Sequence, residues 1–247
     1  MRCSGTDLSF SCDTDDMKIA GFLKTTLLDW DGMVACTVYL QGCNFTCPYC
    51  HNRDIVVSDN VTEIPEEQVL DYIKDNSDFL DGVVVSGGEP LMNKDIHKFL
   101  GKLKALNVKV KLDTNGSLPD VLDDLIGSEL VDMVAMDLKS SLNERYDAAA
   151  GCAVDIEKIR KSISVIIDSG IEHEFRTTAV PVYVKEEDIR NICKNIKGAK
   201  RYRIHQFRNK FTIDAALSVI DPYPVSRLTA MADIAKEYVK DVKIRGV

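Results

Sequence analysis

Cys43, Cys47 and Cys50 stand within eight residues of one another, in the spacing C-x3-C-x2-C. Thiolates select zinc or iron–sulfur centres over harder ions. A structural zinc is closed by four protein ligands, commonly in two pairs. This chain has no second pair, and His51 follows Cys50 directly, an awkward position for a shared tetrahedron. A [4Fe–4S] cube also takes four ligands. Three from this loop leave one iron open to a small molecule, as a catalytic zinc keeps an open position. Three unrelated loop thiols are the plainest alternative. The other five of the eight cysteines, Cys3, Cys12, Cys36, Cys152 and Cys193, are scattered, and an isolated thiol packs as a small hydrophobe.

Such a loop needs a frame. Residues 1–16 are polar and acidic without periodicity and read as a loose tail, with Met17 the candidate true start. Residues 17–247 read as one domain, because no Gly-, Ser- or Pro-rich linker interrupts them. From Met17 a short hairpin leads through the turn at Asp31-Gly32 into a strand over 33–40. After the cysteine loop, strands over 82–86, 108–112, 131–136, 171–179 and 202–207 alternate with helices. The helices are expected over 65–76, 94–106, 119–126, 156–169, 186–196 and 226–240, and a short tail strand over 242–245. Pro65 suits a first helical turn. This alternation implies parallel pairing through right-handed crossovers. Six strand-then-helix units are too few for a closed eight-fold barrel. The expected fold is therefore α/β, an open partial (β/α)6 barrel with a parallel sheet and an N-terminal hairpin.

In such sheets ligands gather at the C-terminal ends of the strands. The second barrel strand ends in Ser86-Gly87-Gly88-Glu89-Pro90, where two glycines permit close backbone approach. The third ends in Asp113-Thr114-Asn115-Gly116, which is also a plain turn signal. The fourth ends in Asp137-Leu138-Lys139. Alternation sets Asp137 and Lys139 on one side, and opposite charges are costly to bury unless well paired. Arg176 interrupts a mostly apolar strand and needs an anion or carbonyl partner. His205 lies near the end of the sixth strand, whereas His97 and His173 have no such placement. The chain has neither a Walker loop nor a dinucleotide G-x-G-x-x-G.

With an aromatic residue before its last cysteine, the loop resembles the signature of radical S-adenosylmethionine (SAM) enzymes. The resemblance extends to Gly21-Phe22, Leu28-Asp29, Gln41-Gly42-Cys43-Asn44-Phe45 and Cys47-Pro48-Tyr49-Cys50-His51-Asn52. These segments resemble the activating proteins of anaerobic ribonucleoside-triphosphate reductase, a branch of the glycyl-radical-enzyme activases. The likeness runs from Met17 to the C-terminus and is most specific in the first third. It implies a [4Fe–4S] cluster on the three cysteines and S-adenosyl-L-methionine chelated at the open iron. It also implies reductive cleavage to a 5′-deoxyadenosyl radical, which abstracts a hydrogen atom.

The same likeness assigns residues. Tyr49 is expected against adenine, and Gly87, Gly88 and Glu89 at the methionine amine. Asp137 and Lys139 are expected to contact the cofactor, with Lys139 reaching its carboxylate. Asp113, Thr114 and Arg176 complete the set, and His205 is expected near the ribose and adenine. In one branch the Asp-Thr pair and the later Asp also hold a monovalent cation. No side chain receives an acid–base role, since atom abstraction needs none. The implied substrate is the Cα–H of one glycine on a partner reductase. The implied electron donor is a flavodoxin or ferredoxin, and the enzyme is oxygen-sensitive.

The bulk composition narrows the alternatives. Lys and Arg total 31 against 39 Asp and Glu, a net charge of −8, which argues against a general nucleic-acid binder. No apolar run approaches a membrane span, and the N-terminus lacks the apolar core of a signal peptide. A cytoplasmic protein with no membrane or nucleic-acid partner is expected, and there clustered cysteines serve metals or catalysis. One rival is a radical enzyme acting on a small molecule such as a deazapurine precursor, in the manner of 7-carboxy-7-deazaguanine synthase. Another is a non-catalytic iron–sulfur carrier, which would ligate all four irons. A small substrate needs convergent polar groups and a lid. After the cofactor assignments, chiefly Asn52, Arg176 and His205 remain, which favours a protein loop bound through its backbone and entering through the open side of the barrel.

Overall fold

The computed structural model describes residues 17–57 and 61–247. The tail expected over 1–16, with Cys3 and Cys12, lies outside the described residues. In chain order the elements are β1 (Ile19–Thr26), β2 (Ala35–Leu40), α1 (Arg53–Val57), α2 (Glu66–Asp75), β3 (Gly82–Gly87), α3 (Ile96–Ala105), β4 (Lys109–Thr114) and α4 (Pro119–Gly127). Then follow β5 (Met133–Asp137), α5 (Arg145–Ala150), α6 (Ile156–Asp168), β6 (Glu172–Ala179), α7 (Glu186–Asn195), β7 (Arg201–Gln206), α8 (Val225–Lys236) and β8 (Asp241–Arg245). The eight strands form one sheet in sequence order. β1 is antiparallel to β2, and every later neighbour is parallel. The expected partial barrel with its hairpin is the fold observed, and the tail strand joins the sheet as β8. Helices α1 and α5 fall outside the sequence expectation because five and six residues are too few to display a helical period.

Alternation along the strands builds two unlike faces. Val83 and Val85 on β3, Val110 and Leu112 on β4, and Phe175 on β6 join Tyr202 and Ile204 on β7 in the main apolar core. That core includes Leu100, Leu122, Ile163, Ile189 and Leu228 from the helical layer. The intervening residues are ionisable on three strands: Lys111 and Asp113 on β4, Glu174 and Arg176 on β6, Arg203 and His205 on β7. A closed barrel of this kind fills its interior with layers of branched apolar side chains. Here the lumen holds ion pairs, and Lys111 and Arg203 are each only 2% exposed.

A small second apolar cluster of Trp30, Ala35, Val84 and Met133 floors the lumen at the N-terminal ends of the strands. Gly82 admits the indole there, since a Cβ at this position would stand 2.7 Å from the Trp30 ring. The β1–β2 turn also crosses from one end of the sheet to the other. The Asp31 carboxylate meets Arg245, Arg203 at 3.6 Å and Lys243 at 3.7 Å. Side chains thus bridge the two ends of the sheet that backbone pairing leaves apart.

Candidate active site at the cysteine loop

The loop after β2 is held by its neighbours, largely through the backbone. Gly42 N–H donates to Ile55 (3.2 Å), and Glu89 N–H donates to the Gly42 carbonyl (2.8 Å). Thr46 N–H donates to the Ala150 carbonyl at 3.0 Å, and the Thr46 hydroxyl to Gly151 at 2.8 Å. Asp214 N–H reaches the Pro48 carbonyl at 2.9 Å. Asn115 donates to Asn44 Oδ1 at 2.9 Å, and Asn44 to Ser117 Oγ at 2.8 Å. The short helix α5 therefore serves the loop. Its Gly151 cap, at φ 72°, brings the backbone onto Thr46, where a Cβ would lie 2.1 Å from the carbonyl oxygen.

The Gly87-Gly88 pair has the same kind of cause. A Cβ on Gly88 would stand 1.8 Å from the Gly42 oxygen, and one on Gly87 2.3 Å from Leu40 backbone atoms. Gly87 also holds a φ of 123°, open only to glycine at ordinary cost. The glycines let the end of β3 lie directly against the cysteine loop, and they line the cavity on their other side.

That cavity is about 210 Å³ and is lined by Cys43, Cys47 and Cys50 together with Gly87, Gly88, Asp113, Thr114, Asp137, Lys139 and Arg176. Asn52, Ser86 and Asn115, which the motifs did not single out as cofactor ligands, also line it. Among the described residues no three His, Cys, Asp or Glu side chains converge on a single ion. Three thiols facing one cavity suit a polynuclear cluster, in which each thiolate takes its own metal atom. Burial pushes the Cys43 thiol up to about 11 and Cys47 to about 12, and raises Cys50 as well. A metal must therefore displace their protons on binding. Cys36, Cys152 and Cys193 do not line the cavity. Cys152 lies against the loop from outside, its thiol 3.5 Å from the Asn44 carbonyl.

Opposite the thiols runs a chain of charges. Lys139 Nζ donates to Asp137 Oδ2 at 3.1 Å, and Arg176 Nε to Asp137 Oδ1 at 2.7 Å. Arg176 Nη1 reaches Asp113 Oδ2 at 3.0 Å. Lys111 continues from Asp113 at 3.5 Å to Glu174 at 3.4 Å, and Arg203 pairs with Asp241 at 2.9 Å. Burial opposes the Asp137 charge, but Arg176 and Lys139 overcome it and hold the carboxyl below the ordinary range. Arg176 is therefore already engaged between two carboxylates. Asn52 is engaged too, donating to the Gly87 carbonyl at 2.9 Å. Neither is the unengaged polar group that the sequence suggested.

Three expected site residues stand apart from this cavity. Glu89 is fully buried and accepts from Thr114 Oγ1 (2.7 Å), Asn115 N (2.6 Å) and Leu91 N (3.2 Å). Burial raises its carboxyl to about 7 against those donors, and its visible role is to fix the Thr114-Asn115 turn. Tyr49 is buried beneath the loop, its ring 6.0 Å from that of Tyr183. His205 lines a neighbouring cavity of about 520 Å³ inside the lumen, with Lys111, Glu174, Arg203, Arg208 and Arg245. Burial and the nearby Arg176 lower its imidazole to about 4, so it is neutral at physiological pH. Arg176 lines both cavities, which makes the two spaces adjoining.

Comparison with known proteins gives a consistent result. A model of the radical SAM superfamily matches residues 37–197. A Methanocaldococcus jannaschii protein named as a candidate glycyl-radical enzyme activating enzyme is 34% identical over 236 residues, 93% of this chain and 96% of its own length. The pyruvate formate-lyase 1-activating enzyme of Escherichia coli is 26% identical over 179 residues, 69% of this chain and 71% of its own. Among solved structures, Streptococcus suis SuiB bound to S-adenosylmethionine superposes with a TM-score of 0.65 at 16% identity over 83% of this chain, which spans 48% of SuiB. Escherichia coli QueE gives a TM-score of 0.53 at 14% identity, covering 94% of this chain and 95% of its own. These two likenesses show a shared fold.

Proposed function

The chain belongs to the radical SAM superfamily, and from that premise we propose that it generates a glycyl radical on a partner enzyme, specifically an anaerobic ribonucleoside-triphosphate reductase. As a member of that superfamily it is an enzyme of a [4Fe–4S] cluster and S-adenosyl-L-methionine. When bound, the two together supply reductive chemistry that ends in abstraction of a hydrogen atom. The protein has to bind, orient and shield.

Cys43, Cys47 and Cys50 hold the cluster. The exposed edge of Gly87 and Gly88 and the Lys139 ammonium are the groups that orient an amino-acid amine and carboxylate. Asp137 holds Lys139 in place, Arg176 and Lys139 keep Asp137 ionised, and Asp113 anchors the Arg176 guanidinium. Thr114 lines the same wall, with Glu89 fixing it from behind. Tyr49 supports the loop on the side of Lys139. His205, in the adjoining cavity, would meet the ribose and adenine of the cofactor.

The observation that carries the activase reading is the end-to-end match to the Methanocaldococcus jannaschii protein, 93% of this chain against 96% of that one. The test is anaerobic reconstitution, reduction and incubation with the candidate reductase, followed by electron paramagnetic resonance. A glycine-centred doublet with stoichiometric 5′-deoxyadenosine is the expected result. Multiple turnovers on a purine-like metabolite, with no protein radical, would replace this reading with the small-molecule one.

A further inference from the structure

We propose that the surface formed by Arg53, Arg208, Lys210 and Phe211, beside Cys50 and His51, is the docking site of a small acidic electron-carrier protein. The inference rests on the iron–sulfur reading of the cysteine loop. Among the described residues no second cysteine cluster exists to relay an electron. An electron must then enter at the loop itself, which meets solvent at Asn44, Thr46 and His51, and of these His51 is the one whose ring feels a nearby cation, Arg208.

Two segments meet there. Arg53 opens α1 directly after the loop, and Arg208 and Lys210 follow β7. The Lys210 backbone and the Arg208 charge both act on the His51 ring. Asp214 N–H fastens the second segment to Pro48 at 2.9 Å. Arg53, Arg208 and Lys210 are exposed, and among the described residues none has an ion-pair partner. Among the described residues Asp54 and Asp214 are acidic neighbours in sequence, and the Asp214 carboxylate is engaged with Ala216 N–H at 2.8 Å. On a chain of net charge −8, a basic patch at the redox loop is against the overall sign. An acidic carrier would be repelled by most of this surface and drawn to that place.

Phe211 supplies the apolar element. It is 86% exposed and holds a φ of 60°, a conformation uncommon for a bulky residue. Thr212, buried behind it, ties the turn to the Asp214 carbonyl at 2.8 Å. The turn thus presents the ring outward among the cations, as an aromatic anchor is presented within a polar rim.

The test follows cluster reduction by absorbance under anaerobic conditions, with reduced flavodoxin as the probe donor and dithionite as the protein-free reductant. In the unmodified protein the flavodoxin rate should fall about tenfold or more as salt rises from about 0.01 to 0.15 M, where the screening length shrinks from about 30 to about 8 Å. Arg53→Glu with Lys210→Glu should start about tenfold lower at low salt and lose most of that dependence. Phe211→Ser should weaken donor binding and leave the salt dependence in place. Iron content, S-adenosylmethionine affinity and dithionite reduction should stay as in the unmodified protein. A salt-independent flavodoxin rate in the unmodified protein overturns the proposal without any variant. So does an unchanged rate in the charge-reversed protein, or a loss of radical transfer to the partner with the donor rate intact. A reconstituted protein that dithionite cannot reduce would refute the iron–sulfur reading itself, a separate failure.

Discussion

On β6 the side chains of His173, Phe175 and Thr177 are buried on one face of the strand, while Glu174 and Arg176 occupy the other. The same division holds on β7, with Tyr202 and Ile204 against Arg203 and His205. The outer set is buried, makes no ion pair among the described residues and serves the fold. The inner set, apart from the neutral His205, is charged, linked by ion pairs from Lys139 to Asp241, and leads to the cysteine loop. A residue-by-residue split of one strand lets packing and chemistry vary independently. Replacing a buried charge network by apolar side chains is often neutral or stabilising, so the charges in this lumen are better explained by what enters it than by stability.

Sharp variants should separate the two faces. The largest effect is expected at the loop: Cys47→Ala should abolish the iron–sulfur absorption and bound iron, with the cooperative unfolding of the chain retained. Retention of iron would break the three-thiolate assignment. Next, Phe175→Ala on the outer face should cost about 3–5 kcal/mol in denaturant unfolding, while S-adenosylmethionine affinity measured on the folded, reconstituted protein stays the same.

The converse variant is Lys139→Ala on the inner side. It should lose about 1.5–3 kcal/mol of cofactor binding, roughly ten- to hundred-fold in affinity by titration calorimetry, with the cluster absorbance unchanged. An unchanged dissociation constant would remove Lys139 from the site.

The smallest effect concerns pH. His205 titrates near 6.5 when unfolded and at about 4 when folded. Above pH 6.5 neither state holds the proton. As pH falls toward 4 only the unfolded state takes it up, so stability declines across that window. His205→Gln should flatten that part of a stability–pH curve, and an unaltered slope would show that the imidazole is hydrated in the folded protein.

Much of this architecture was legible in the residues. Strands such as Val83-Val84-Val85 between turn signals, and helices opened by Pro65 and Pro119, announce themselves through local pattern. So do the three cysteines, whose spacing carries the chemistry. What escaped the sequence is tertiary. The Gly87-Gly88 pair reads as a ligand cradle, but its steric cause is the Gly42 and Leu40 backbone on its other side. Glu89 sits in the same motif yet turns away to hold Thr114 and Asn115. Helix α5 and Gly151 gave no period to detect, although they clamp Thr46. The charged lumen left a fainter trace, in the alternation Lys109-Lys111-Asp113, Glu172-Glu174-Arg176 and Arg201-Arg203-His205, which only a sheet already known to curl into an open barrel makes meaningful.

The floor of the lumen has an experimental use. Trp30 is the chain's single tryptophan, 8% exposed and enclosed by Ala35, Val84 and Met133. Emission excited at the red edge of the protein band therefore originates from one place, at the end of the barrel remote from the cysteine loop. Its wavelength and its quenching by small solutes report whether the N-terminal hairpin remains seated. The broad visible absorption of a reconstituted cluster reports the opposite end. Recorded together during denaturation, the two optical signals would show whether both ends of the barrel come apart in one step.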